Sequence, residues 1–175
     1  MRVIVAITGA SGVQLGFRLL EALPESVTPY LILSDNSQRV AIYEKAEVFD
    51  NEDIAAPPAS GSFPIDAMIV APCSMNTLAK IACGLADDLV TRSAAVTIKE
   101  RRHLILAPRE MPFSPIALEN MLKLSQMGVT IAPPVMGYYS DHDTVEAMEN
   151  FVVGKWLDLL GIEHDLYKRW GSETS

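Results

Sequence analysis

The 175-residue chain is short of several residue types and patterns, and each shortage excludes a class of protein. Two cysteines, Cys73 and Cys83, are too few for a disulfide scaffold, and neither has metal-ligand spacing. Hydrophobic residues make up 49%, yet no apolar run reaches the roughly 18 residues of a membrane span. The opening M-R-V-I-V-A-I-T-G is a short apolar run that passes straight into a glycine-rich turn without a small-residue cleavage site. It reads as a first strand rather than a secretion signal, and a cytoplasmic location is expected. A basic field is also lacking. The net charge of −8 argues against nucleic acid as a partner. The dinucleotide fingerprint G-x-G-x-x-G is incomplete, because Gly16 falls one position late for its third glycine. There is no internal repeat and no low-complexity segment beyond residues 171–175.

What the chain does contain is alternation. Apolar runs at Val3–Thr8, Tyr30–Ser34, near Val48, Ala67–Ala71, His103–Ala107 and Val129–Ala132 read as strands. Between and after them lie helical patterns at Gly12–Leu23, Ser37–Glu47, Met75–Gly84, Ala86–Arg101, Pro115–Met127 and Thr144–Gly161. Continuous apolar strands alternating with helices imply a parallel sheet covered on both faces. The expectation is an α/β fold of the Rossmann or flavodoxin type: three layers, doubly wound, on a mostly parallel six-stranded sheet. Residues 1–175 form one domain in this reading, with 162–175 as a tail that docks on a neighbouring subunit. Asp143-Thr-Val-Glu146 offers a capping carboxylate or hydroxyl to the last helix, which Gly161 closes; Gly84 and Gly128 end two others. Residues 51–64, acidic and then A-P-P-A-S-G-S-F-P, form a loop of the length used for lids or binding loops.

In an open α/β sheet, ligands bind at the carboxyl ends of the strands, so the residues that follow each strand matter most. Thr8-Gly-Ala-Ser-Gly12 joins the first strand to a helix and could cradle a phosphate; an ordinary turn with Ser11 as N-cap reads almost equally well. Pro72-Cys-Ser-Met-Asn-Thr77, after the fourth strand, offers Ser74 and Asn76 at another helix start, and plain N-capping is its alternative. Ser34 stands where a hydroxyl reaches a ribose or ribityl chain. Glu44, further on, reads from sequence alone as a solvated helix charge. Gly137-Tyr-Tyr139 forms a rigid rim after Pro133-Pro134, suited to a phosphate or to a subunit contact. Cys73 reads as a small buried thiol rather than a nucleophile. Between Lys99 and Asn120, a basic cluster leads into an apolar run, and the adjacent pair Arg109–Glu110 that follows suggests a site for an anionic ligand that needs proton transfer.

Taken together, T-G-A-S-G, P-C-S-x-x-T-L, T-R-x-A-A-V-x-x-K-E-R-R, P-R-E-x-P-F-S, L-E-N-M-L-K-L, G-Y-Y and F-V-V-x-K-W-L-D-x-L-G-I resemble the flavin prenyltransferases from Val3 to Trp170. The resemblance implies a metal-independent enzyme that joins a dimethylallyl group from dimethylallyl phosphate to N5 and C6 of reduced FMN. The product, prenylated FMN, would serve a partner decarboxylase. The resemblance further implies trimer-based dodecamers with active sites between subunits. Carried over, Gly9, Ala10, Ser11, Ser34, Ser74, Met75, Asn76, Thr77 and Arg109 match FMN-binding positions. Arg92, Lys99, Tyr139, Lys155 and Trp170 match the prenyl-phosphate pocket. Glu44 and Ser11 would relay protons near N5, while Glu110 would orient the basic residues. Two departures are visible: the family usually has Arg where this chain has Lys155, and the segment between Glu44 and Pro57 is shorter than in many members. The competing readings are a flavin-dependent cysteine decarboxylase of the same fold, which relies on an early histidine, and a non-catalytic FMN carrier.

Overall fold

The computed structural model describes residues 1–9, 11–34, 46–138 and 144–169. Its elements follow the order β1 (Arg2–Ile7), α1 (Val13–Ala22), β2 (Thr28–Leu33), β3 (Glu47–Asp50), β4 (Ala67–Cys73), α2 (Met75–Cys83), α3 (Leu89–Lys99), β5 (His103–Pro108), α4 (Pro115–Gln126), β6 (Thr130–Ile131) and α5 (Val145–Leu160). The six strands form one sheet in the order β3-β2-β1-β4-β5-β6, and every neighbouring pair is parallel. The α/β expectation holds. Strand order reverses between β1 and β4, where Val3 pairs with Ala67 and Ala6 with Val70. A crevice opens at the carboxyl ends on either side of such a reversal.

Alternation along the strands explains the layers. Val3, Val5, Ile7, Ile69, Ala71, Ile105 and Ala107 face one core with Phe17 and Leu20 of α1 and Trp156 and Leu157 of α5. Ile4, Ala6, Met68, Val70, Leu104 and Leu106 face the other, with Leu78 of α2, Val90 of α3 and Leu124 of α4. Both faces are therefore dry, which accounts for the unbroken apolar runs.

Several boundaries differ from the sequence reading, each for a local reason. β4 does not stop at Pro72 but continues to Cys73, with a register shift between Val70 and Cys73. A proline is tolerated at such an irregularity because no ladder donor is needed there. α3 begins at Leu89 rather than Ala86 because Asp88 caps it: the Asp88 carboxylate accepts from Thr91 N at 2.8 Å, and the Thr91 hydroxyl accepts from Asp88 N. It ends at Lys99, since Arg101 adopts φ 54° and Arg102 N donates back to Thr97 O at 2.9 Å. At α5 the expectation holds: the Thr144 hydroxyl caps the helix, accepting from Ala147 N at 3.1 Å, and Gly161 closes it. The helix expected over Ser37–Glu47 lies outside the described residues except at its end, where Glu47 opens β3.

The 51–64 loop is fastened rather than bare. It contains a short 3-10 turn at Pro57–Ala59, and Arg102 donates to Gly61 O at 2.8 Å and Phe63 O at 3.0 Å. Arg102 is thereby accounted for as a structural cation. The start of the tail also rests on its own chain: Ile162 is in the core, and Leu166 and Tyr167 pack against it.

Candidate functional site

At the strand-order reversal, Thr8 joins the carboxyl ends of β1 and β4. Its buried hydroxyl donates to Pro72 O at 3.0 Å and accepts from Ser74 N at 2.8 Å. The sequence reading gave Thr8 no role of its own. A hydroxyl at the end of an otherwise apolar first strand was the available signal, because such a group must find partners when buried.

The turn after β1 is shaped by Gly12, whose φ of 98° suits glycine. Gly12, not Ser11, is the N-cap of α1, and no side chain caps that helix. The alternative of Ser11 as N-cap therefore fails. Ser11 is exposed at the turn, and among the described residues no side chain caps the first N–H groups of α1. Ser34, half-buried at the end of β2, accepts from Gly9 N at 3.1 Å. That bond uses an oxygen lone pair and leaves the hydroxyl proton to donate elsewhere. Gly16 brings α1 down onto the crevice floor: a Cβ there would lie 2.2 Å from Ala71 O and 2.9 Å from Ile7 Cδ1. It performs the close helix–strand packing of a third fingerprint glycine, one position later than the motif requires.

Across the reversal, Ser74 caps α2, accepting from Thr77 N at 3.2 Å and sharing a 2.9 Å hydrogen bond with the Thr77 hydroxyl. Capping is thus the present occupation of these two residues, while Asn76 is exposed beside them and Met75 half-buried. Cys73 lies buried beneath, its thiol donating weakly to Ser74 O, and burial pushes its pKa up to about 12. A thiol so placed is not a nucleophile at neutral pH. Arg109 follows β5, its N–H directed at Cys73 O at 3.4 Å and its side chain exposed. The Glu110 carboxylate turns to Met111 N at 3.0 Å; among the described residues no ion pair joins it to Arg109 or Lys99.

The sequence-predicted residues thus fall into three places. Gly9, Ser11, Ser34, Ser74 to Thr77, Arg109 and Glu110 stand at the carboxyl ends of β1, β2, β4 and β5. Arg92 and Lys99, two turns apart on α3, line a cavity of about 490 Å³ together with residues 54–61. Lys99 pairs there with Glu100 at 2.7 Å. Six residues of β5 separate Lys99 from Arg109, a distance of about 20 Å at strand rise. Lys155, more than half exposed on α5, lines a third cavity of about 450 Å³ beside β6, with apolar walls that include Ile131, Val135 and Trp156. Trp156 Nε1 donates to Ala132 O at 3.0 Å, anchoring the chain that leads to Gly137. Ala10, Glu44, Tyr139 and Trp170 lie outside the described residues.

The flavoprotein family profile matches residues 1–155. A curated relative from Helicobacter pylori, the flavin prenyltransferase UbiX, is 47% identical over 98% of this chain and 99% of its own. The chain belongs to the flavin prenyltransferase family. Among solved structures of this family's type, AnUbiX (PadA1) in complex with FMN and dimethylallyl pyrophosphate has a TM-score of 0.93 at 39% identity. The match covers 99% of this chain and 98% of that one. A dodecameric FMN-dependent UbiX-like decarboxylase from Escherichia coli O157:H7 has a TM-score of 0.94 at 43% identity, covering 98% and 100%. The cysteine-decarboxylase reading loses its remaining support, because the first histidine, His103, opens β5 at the opposite end of the sheet. There its Nε2 lies 3.1 Å from the Thr130 hydroxyl. No described helix is long and apolar enough to cross a membrane.

Proposed function

We propose that the chain transfers a dimethylallyl group from dimethylallyl phosphate to N5 and C6 of reduced FMN and passes the prenylated flavin to a decarboxylase. The observation that carries this reading is the set of groups gathered at the carboxyl edge of the sheet. An uncapped helix start, the Gly9–Ser34 contact and an exposed Arg109 surround one strand-order reversal, in a chain with a near-full-length flavin prenyltransferase relative. Gly9, Ala10, Ser11, Ser34, Asn76 and Arg109 hold the FMN, with Ser74, Met75 and Thr77 shaping the wall beneath it. A helix start without a side-chain cap suits the flavin's phosphate, and Arg109 adds a fixed charge.

The transfer breaks the allylic C–O bond and releases phosphate while N5 loses its proton to form the first carbon bond; the second, to C6, consumes the prenyl double bond, whose other carbon takes up a proton as C6 gives one up. Negative charge grows on the departing phosphate, so cations aimed at it lower the barrier. Arg92, Lys99 and Lys155 supply that charge, with Tyr139 and Trp170 enclosing the prenyl group. Glu44 and Ser11 move protons near N5, and Glu110 turns from Met111 N toward the basic residues once the ligands are bound. Since Lys99 and Arg109 are about 20 Å apart in one chain, a complete site combines the carboxyl edge of one copy with the α3 and α5 cations of others. The assembly is a homo-oligomer, as is the dodecameric UbiX-like decarboxylase.

Anaerobic incubation with reduced FMN and dimethylallyl phosphate tests the proposal by flavin mass. One added C5H8 unit per flavin is expected. An unchanged flavin with both the monophosphate and the diphosphate donor would refute it.

A further inference from the structure

Asp158, near the end of α5, gathers four side chains on its two oxygens. Oδ1 lies 3.1 Å from His164 Nε2 and accepts from Arg169 Nη2 at 2.7 Å. Oδ2 accepts from the Tyr167 hydroxyl, and Lys155 Nζ stands 3.9 Å from that same oxygen, beyond hydrogen-bond reach. The tail reaches this point because residue 154 is glycine. A Cβ there would fall 2.6 Å from Tyr167 Cδ1 and 2.7 Å from His164 Cε1, so its absence lets both rings pack against the helix. The Arg169 guanidinium in turn sits over the Tyr167 ring, 5.6 Å from its centre. Residues 164–169 are thus clasped to α5 by one carboxylate.

The clasp affects Lys155. Of the two lone pairs on Oδ2, the Tyr167 hydroxyl takes one and so weakens the pull of that oxygen on Lys155. Lys155 gains little by closing the remaining distance, and 53% of its side chain is exposed against 21% for Asp158. It is the loosest cation of the group and lines the apolar cavity beside β6.

We propose that Tyr167 and Asp158 are positioning residues for the prenyl-phosphate: the hydroxyl satisfies the carboxylate oxygen nearest Lys155 and so keeps that ammonium available to the donor's phosphate. This rests on the role given to Lys155 above. Without the hydroxyl, Oδ2 draws Lys155 into a direct ion pair, and the phosphate must then compete with a charge-assisted hydrogen bond.

Tyr167→Phe, which keeps the ring on Gly154 and changes no charge, tests this in the full-length enzyme. The KM for dimethylallyl phosphate rises about fivefold, the size of a good exposed ion pair, while kcat and FMN affinity stay at wild type. Adding Asp158→Asn brings KM back, since a neutral amide no longer holds the ammonium. In a Lys155→Met background, where KM is already raised, Tyr167→Phe has no further effect. A second readout needs no substrate: acetylation of Lys155 by an N-hydroxysuccinimide ester, followed by peptide mass spectrometry, is slower in Tyr167→Phe than in wild type. Equal KM shifts with and without Lys155, or a defect that Asp158→Asn deepens, would show a merely structural clasp and overturn the inference. A Lys155→Met enzyme with wild-type KM would remove the role of Lys155 and this inference with it. Flavin mass would then still report prenyl transfer separately.

Discussion

Replacing Gly16 with alanine places one methyl group where the crevice floor has no room. The new Cβ would lie 2.2 Å from Ala71 O and 2.9 Å from both Cγ1 and Cδ1 of Ile7. Carbon and oxygen come no nearer than about 3.3 Å even in weak C–H···O contacts. The isoleucine can rotate, but the carbonyl belongs to the central strand of the sheet and cannot. α1 must therefore back away by about 1 Å. Overpacking of this kind costs about 3 kcal/mol at the upper end of its usual range. Alanine returns up to about 1 kcal/mol through helix propensity, leaving a net loss of about 2 kcal/mol. For a chain of this size the melting temperature falls by about 4–8 °C. The start of α1 carries the Gly9–Gly12 turn with it, so FMN affinity falls by tenfold or more, about 1.4 kcal/mol. Urea denaturation and flavin fluorescence titration on the same preparation measure both quantities. A Gly16→Ala protein at least as stable as wild type, with unchanged FMN binding, would refute the close-packing argument.

Three further outcomes follow from the geometry. In the native protein only one thiol reacts with an aromatic disulfide reagent, the exposed Cys83, and Cys73 appears only in denaturant; rapid native labelling of both thiols contradicts its burial. Burial alone would raise the Asp158 carboxyl, but hydrogen bonds from Arg169, Tyr167 and His164 hold it at about 2. With the folded value below the ordinary 3.8, its contribution is present above pH 4 and lost as pH falls toward 2. Wild type should therefore exceed Asp158→Asn by on the order of 2 kcal/mol at pH 5 and by almost nothing at pH 2, and a pH-independent gap in urea unfolding would be the contrary result. Arg101→Gly relieves a left-handed backbone at the end of α3 and raises stability by about 0.5–1 kcal/mol, measured by urea unfolding; a loss would mean that the arginine side chain contributes more than its backbone costs.

Periodicity made the fold legible because both faces of the sheet are buried, so each strand stands out as an unbroken apolar run. The carboxyl edge was legible for the same reason: whatever follows such a run must lie there, as Gly9, Ser34, Ser74 and Arg109 do. The role of Gly16 was not, since the fingerprint counts positions and the helix packs by contact. Nor was the linking role of Thr8, whose partners Pro72 and Ser74 are remote in sequence. That Arg102 fastens the 51–64 loop was not legible, because nothing in the loop's own composition reveals it.

The length of β5 has a consequence for inheritance as well as for catalysis. On the proposed arrangement, a chain lends its Lys99 end to one reaction centre and its Arg109 end to another. Damage to one copy is then never private: a chain faulty at Lys99 spoils a neighbour's centre while its own flavin edge stays intact. Two alleles faulty at opposite ends of β5 can mend one another in mixed assemblies, whereas two faulty at the same end cannot. A strand of six residues thereby makes the assembly, rather than the polypeptide, the smallest unit on which selection for activity acts.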